Sequence, residues 1–271
     1  MKFWHNDAYF QENPHEYFKV KRVRDILIAL LFIVIFYLAN IFIDFDMIGV
    51  VVNAPKALTR FFELYIPVSF KESAKLIEAI FVTILLSISA GVIGSFLAYL
   101  AALTMSKRTG KNVVLKFIVR GFATFMRNVP ATIWAIILLM AFWFGEFLAL
   151  LVMTIGTFGF NARLFSDMID ETNPNSIEAL EATGASYWQI ITQAVIPETL
   201  PTFISWALYS IELNIRSATI IGMLAGGGIG HLIGIFKHYR RFDQLSGAVI
   251  VVVVVIISFD QLSMYIRKRI L

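Results

Sequence analysis

Glu212 and Arg216 are four residues apart in the stretch Tyr209–Thr219, on one face of a helix and near enough to pair, while Asn214 points elsewhere. Their surroundings are apolar, and a charged side chain deep in a bilayer costs at least about 2.5–3.5 kcal/mol on insertion scales. Such groups face protein or water and commonly mark a pathway. Two roles fit. One is a structural ion pair between packed helices. In the other, Arg216, joined by Arg127 if a kink brings it near, gives a permeation route a positive potential suited to an oxyanion. Glu212 then keeps Arg216 oriented and stops the anion from binding too tightly to leave, and Asn214 is counted with Arg127, Glu212 and Arg216 on that route. The run Gly226-Gly227-Gly228-Ile229-Gly230 also has two roles open to it. It is either an anion cradle of backbone amides or a gate, where glycines let a span end and the chain fold back with close backbone packing. It is not a nucleotide loop, since G-x-x-x-x-G-K-[ST] occurs nowhere in the chain. His5, His15, His231 and His238 lack metal-ligand spacing, cysteine is absent, and the sequence shows no paired catalytic His, Ser or Asp constellation.

The elements that must position these residues are membrane helices. Of 271 residues, 58% are hydrophobic and only 15% charged, where a soluble domain carries about a quarter charged. That composition excludes an ordinary cytosolic enzyme and a disordered chain. A net charge of +4 would suit nucleic acid, but in so apolar a chain the basic residues belong at the ends of spans. Lipid is the expected surrounding, with no nucleic-acid partner.

Ile26–Ile43 reads as a retained transmembrane helix rather than a signal peptide. Asp7, Glu12, Glu16 and Asp25 precede it, and no small-residue cleavage site follows. Ala79–Met105 is a second uncharged run. Val129–Ala162 carries one charge, Glu146. As one helix it would measure about 50 Å at 1.5 Å per residue, against a hydrocarbon core of roughly 30 Å. It must turn at Gly145–Glu146, its first arm lengthened by Phe117–Asn128 with a kink or break at Pro130. Pro201–Leu224 and Leu245–Met264 bring the expectation to six crossings. The termini then share a side, and the Lys and Arg balance makes it the cytoplasm. Three parts follow: a cytoplasmic segment 1–25; residues 26–76, with the first span and an external amphipathic segment Asp44–Lys75; and a core, 77–271. Arg163 and Asp167 are spaced to pair, and Asp260 and Ser263 are placed for a cap or an interhelical bond.

Between spans four and five, residues 171–198 hold Glu171, Glu178, Glu181 and Glu198 and no Lys or Arg. Pro174 stops anything earlier, Asn175 with Glu178 suits a helix start, and Ile177–Thr183 can be helical. Gly184 suits the left-handed residue that ends it. Ser186 with Gln189 forms a capping box opening a helix through Val195, which Pro197 terminates. A rigid helix–glycine–helix where a simple turn would suffice is a surface to be gripped.

Glu178-Ala179-Leu180, Gly184 at the seventh position and Ile196-Pro197 at the nineteenth and twentieth resemble the EAA signature of permease subunits of binding-protein-dependent ABC importers. Leu180 stands for Ala, Ala194 for Ile and Ile196 for Leu. A narrower resemblance, to phosphonate ABC transporter permeases, runs from about Phe81 to Leu271. It rests on Glu212-Leu213-Asn214-Ile215-Arg216-Ser217-Ala218-Thr219, on Gly226–Gly230, on Asp260-Gln261-Leu262-Ser263 before Arg267, and on Arg127-Asn128-Val129-Pro130.

The resemblance implies an all-α, type I importer permease with a cytoplasmic coupling loop in the bacterial inner membrane. Glu178, Ala179, Leu180, Gly184, Ala185, Ile196 and Pro197 would dock into a groove on an ATPase. ATP and magnesium would then belong to a dimer of that partner, leaving this chain without catalysis or cofactor. A second copy and an extracytoplasmic binding protein complete the implied assembly. The basic cluster Lys237–Arg241 would anchor headgroups or meet an acidic lobe of that binding protein. Phosphonate, phosphite, phosphate and other small oxyanions remain open as substrates. An ion-coupled secondary transporter is the rival, but it predicts inverted repeats, which the sequence lacks, and gives the acidic hairpin no task.

Overall fold

Residues 14–270, described in a computed structural model, form helices joined by short turns. The chain divides into two units, residues 1–63 and 64–271. The first unit holds α1 (Pro14–Ile43) and most of α2 (Met47–Tyr65). The expected span is present in α1, and the helix starts earlier than the apolar run because charges such as Arg24 and Asp25, paired at 3.3 Å, can be solvated on a helix that outruns the hydrocarbon. None of its apolar window is buried. Residues 1–13 of the segment 1–25, with Lys2 and His5, lie outside the described residues.

Small residues set the packing of the second unit. Helix α3 (Ser73–Met105) buries Ala90, Gly91, Gly94, Ser95, Ala98 and Ala102 along a face against α6 (Glu146–Asp170) and α9 (Ile196–Ala225). Without a hydrophobic drive between helices in lipid, close contact of small side chains and interhelical hydrogen bonds must hold them. The bonds are there. Asn161 Nδ2 donates to Ser95 Oγ at 2.9 Å and to Ser210 Oγ at 2.8 Å, and Asn214 Nδ2 donates to Thr157 Oγ1 at 2.9 Å. Each such bond stabilises by about 0.6–2 kcal/mol.

Pro130 does more than kink the chain. Val129 is extended (φ −87°, ψ 118°), as a residue before proline prefers, and α4 (Val113–Asn128) meets α5 (Ala131–Phe142) at 98°. The expected turn at Gly145–Glu146 is observed, with Glu146 opening α6. Past α9, α10 (Gly228–His238) bends back by 54°, and α11 (Phe242–Ile270) returns. Among the described residues, four helices (α1, α3, α6 and α11) are long and apolar enough to span, and the two bent pairs bring the number to as many as six.

Hydrogen bonds fix which loops share an end of this unit. At one end Gly145 N donates to Ala225 O (2.7 Å), Ser69 N to Asp243 O (3.0 Å), and Arg241 pairs with Glu72 at 3.0 Å. At the other, Asp170 accepts from Ser106 Oγ and Lys107 N, both at 2.6 Å. Lys111 lies 5.0 Å above the Tyr187 ring. The basic turn after α3 and the acidic hairpin therefore lie side by side.

Candidate functional site

The hairpin begins two residues earlier than its sequence suggests. Asn173, not Asn175, caps α7 (Pro174–Ala182): its side chain accepts the Asn175 N–H at 3.0 Å. Pro174 opens the helix instead of stopping an earlier one, since proline at the first helical position lacks an N–H that would be orphaned anyway. At the far end Gly184 N donates to Glu181 O (2.9 Å) and Ala185 N to Leu180 O (3.1 Å), the paired bonds of a Schellman stop. Gly184 carries φ +78°, a conformation that costs other residues roughly 1–2 kcal/mol. Gln189 Oε1 then accepts the Ser186 N–H at 2.7 Å, opening α8 (Tyr187–Ile190).

Pro197 does not end this arm. A π-helical turn, Ile191–Val195, joins α8 to α9, so helix runs on from Tyr187 to Ala225. The widened π register next to Pro197 loosens the i→i−4 ladder where the ring would otherwise clash. Glu198 Oε1 accepts the Asn173 N–H at 2.8 Å, closing the hairpin at its root. A push on Trp188, in the second arm of the hairpin, would therefore enter the span that carries Glu212 without crossing a loop.

The predicted docking residues divide by direction. Glu178, Ala179, Gly184 and Pro197 are exposed. Leu180, Ala185 and Ile196 are half-buried and pack against a core containing Ala98, Phe165, Ile177 and Ile191, which sets the hairpin on the bundle. Trp188, 65% exposed, joins the outward face, its ring edge-on to Tyr187 at 5.4 Å. The sequence reading passed over it, although a tryptophan beside a helix start, off the apolar period, is a usable signal. Partial burial pushes the Tyr187 phenol above its ordinary pKa, so it stays neutral beneath Lys111.

Within α9, Glu212 is buried (4% exposed). One carboxylate oxygen takes Arg216 and the other takes Arg267 of α11 at 3.3 Å. Arg267 also donates to Ser263 Oγ at 2.9 Å, which gives Ser263 a partner on its own helix. Glu212 is therefore the shared anion of two guanidinia and bridges two helices, where the sequence offered only the pair. The Arg216 side chain is 46% exposed. Asn214 donates to Thr157 Oγ1 of α6 at 2.9 Å and lines a cavity of about 200 Å³ with Gly156 and Phe160. Arg127 lines a different cavity, with Arg120 and Arg163, that does not include Arg216. Arg163 pairs with Asp167 at 3.8 Å, as its spacing predicts.

At the glycine run Gly226 (φ +86°) ends α9, and the chain re-enters the bundle as α10. Ile229 N donates to Thr83 Oγ1 at 2.8 Å. A β-carbon on Gly230 would stand 2.3 Å from Thr219 O and 2.8 Å from Ala218 O. Gly230→Leu should therefore pry α10 from α9, an overpacking cost of about 1–3 kcal/mol, visible as a lower melting midpoint of the purified protein by tryptophan fluorescence.

A capped helical hairpin thus stands at one end of an apolar bundle, and much of this chain is similar to known proteins. Residues 91–271 match the family described as the binding-protein-dependent transport system inner membrane component. The chain belongs to that family. A phosphate-import permease protein of Mycolicibacterium smegmatis is 30% identical over 189 residues, 69% of this chain and 35% of that protein, so the chain spans about a third of this relative's length. A phosphite transport system permease protein of Stutzerimonas stutzeri is 25% identical over 75% of this chain and 74% of its own length. A protein of Escherichia coli named for a cryptic phosphonate transport system permease is 33% identical over 44% of this chain and 98% of its own. In fold alone, the inward-facing MetNI methionine ABC transporter superposes with a TM-score of 0.65 over 75% of this chain and 99% of the solved one, at 17% identity. The permease is a multi-pass membrane protein with the fold of type I importer subunits.

Proposed function

We propose that this chain is the membrane subunit of an ATP-driven importer of small phosphorus oxyanions, phosphonate, phosphite or phosphate. It works by alternating access in the bacterial cytoplasmic membrane. The observation that carries it is the unbroken helix from Tyr187 to Ala225, which ties the second arm of the hairpin, with Trp188, to the charged segment of the span. A nucleotide-driven movement of the partner ATPases at Gly184 and Trp188 would move Glu212 and Arg216 with it. The names of the relatives support the substrate class. A second copy would supply the other wall of the route, and an external binding protein would deliver substrate to the end formed by Gly145, Ala225 and Asp243. The hairpin and termini would be cytoplasmic.

The test is reconstitution with the cognate ATPase and binding protein in proteoliposomes. Uptake of methylphosphonate is expected only with all three proteins and ATP. Stable uptake by this chain alone would overturn the proposal. Arg216→Ala is expected to abolish uptake while the ATPase still co-purifies.

A further inference from the structure

Arg120 and Arg127 are seven residues apart on α4, two helical turns, and so lie on one face. Arg163 of α6 joins them around one cavity of about 380 Å³, with Thr124 and Asn128 also on its wall. No carboxylate lines it. Arg163 holds Asp167 only loosely at 3.8 Å. Among the described residues neither Arg120 nor Arg127 has an ion-pair partner. Gly159 makes the arrangement possible: a β-carbon there would fall 2.7 Å from Arg127 N and 2.9 Å from its Cα, so a larger residue would push α4 and its arginines away. The cavity is at the hairpin end, since Met105 on its wall precedes Ser106, which donates to Asp170.

Three guanidinia around one small space repel one another, and a multiply charged anion turns that repulsion into charge-assisted, bidentate hydrogen bonds. Asn128 and Thr124 can add neutral bonds. We propose that Arg120, Arg127 and Arg163 form an oxyanion site at the hairpin end of the bundle, distinct from the Glu212–Arg216 pair, that takes a tetrahedral phosphate-type group. That group has two possible sources. One is the transported ion at its inward release step, which rests on the import reading above. The other is the phosphate of an anionic lipid, which does not.

The test uses the complex with its ATPase in nanodiscs of phosphatidylcholine alone, with radiolabelled inorganic phosphate as probe in equilibrium dialysis. Saturable binding is expected, weakened about tenfold by Arg127→Gln, as loss of one charged hydrogen-bonding partner implies. The triple variant Arg120→Gln/Arg127→Gln/Arg163→Gln should bind none. In parallel discs containing phosphatidylglycerol, native mass spectrometry counts retained lipid. Lipid held by the wild type and lost by the triple variant, without phosphate binding in the first discs, assigns the site to headgroups and upholds it. Wild-type and triple-variant complexes indistinguishable in both measurements would overturn it. Because all three arginines are exposed and support no buried contact of the bundle, ATPase co-purification of the triple variant should be unchanged. Methylphosphonate uptake by the wild type in the same preparation reports separately on import: uptake without arginine-dependent binding removes the site and leaves the transport reading intact.

Discussion

Trp188→Ala is expected to weaken association of the permease with its ATPase about thirtyfold or more, while leaving the helical bundle folded. The side chain is 65% exposed, and its only ring contact within the described residues is edge-on with Tyr187. Little packing is therefore lost inside this chain. What is lost is a large, rigid, apolar anchor beside Gly184, on a face otherwise made of Ala179, Ala182, Thr183 and two glutamates. Aromatic anchors ringed by small neighbours are where interfaces concentrate binding, commonly about 2 kcal/mol or more per residue, which is roughly thirtyfold in affinity. Pull-down of the ATPase at graded concentrations, with circular dichroism for the fold, checks it. Unchanged affinity would mean that the partner grips the hairpin elsewhere. Gly184→Val separates geometry from contact: no atom lies within 4 Å of a β-carbon there, so its effect would come from the strained φ and a displaced Trp188.

The hairpin was legible because its signals are local. Gly184 needs only its own left-handed backbone, and the Ser186–Gln189 bond spans three residues. What the sequence misplaced depends on partners far along the chain. Asn173 looks no better a cap than Asn175 until Glu198, twenty-five residues on, reaches back to its N–H. Proline at 197 reads as a stop because proline usually is one, and the π turn that removes the penalty leaves no mark in composition. The spans were legible from apolar length and a kink or break at Pro130 from the proline itself, but its size, 98°, was not, since a proline in an apolar run is equally compatible with a gentle kink. At the charged pair, periodicity relates only residues on one helix. It found Glu212 with Arg216 and could not find Arg267, fifty-five residues away on α11. The three-arginine cavity was hidden for the same reason, with Gly159 giving no hint that it brings two helices together.

Removing the Glu212 charge should produce the largest loss inside the bundle. With Glu212→Ala the two guanidinia keep each other's company without a shared anion, between helices that must pack closely. Breaking a buried pair costs about 3–5 kcal/mol, but the side chains of Arg216 and Arg267 are 46% and 26% exposed. Water therefore screens part of the repulsion, and about 1–3 kcal/mol is the expected destabilisation. A fall of several degrees in melting midpoint and near-complete loss of uptake are expected together, so this variant alone cannot separate a structural bridge from a pathway charge. The double variant Glu212→Met/Arg216→Met can. It removes one cation with the anion, leaves Arg267 its bond to Ser263, and fills the space with apolar atoms of similar size, a replacement that is often neutral or stabilising. Recovered stability with recovered uptake makes Glu212 and Arg216 charges that matter only to packing, with no part in the anion's route. Recovered stability with uptake still absent places Arg216 on the route of the anion, because the bundle would then be sound and only the positive charge missing.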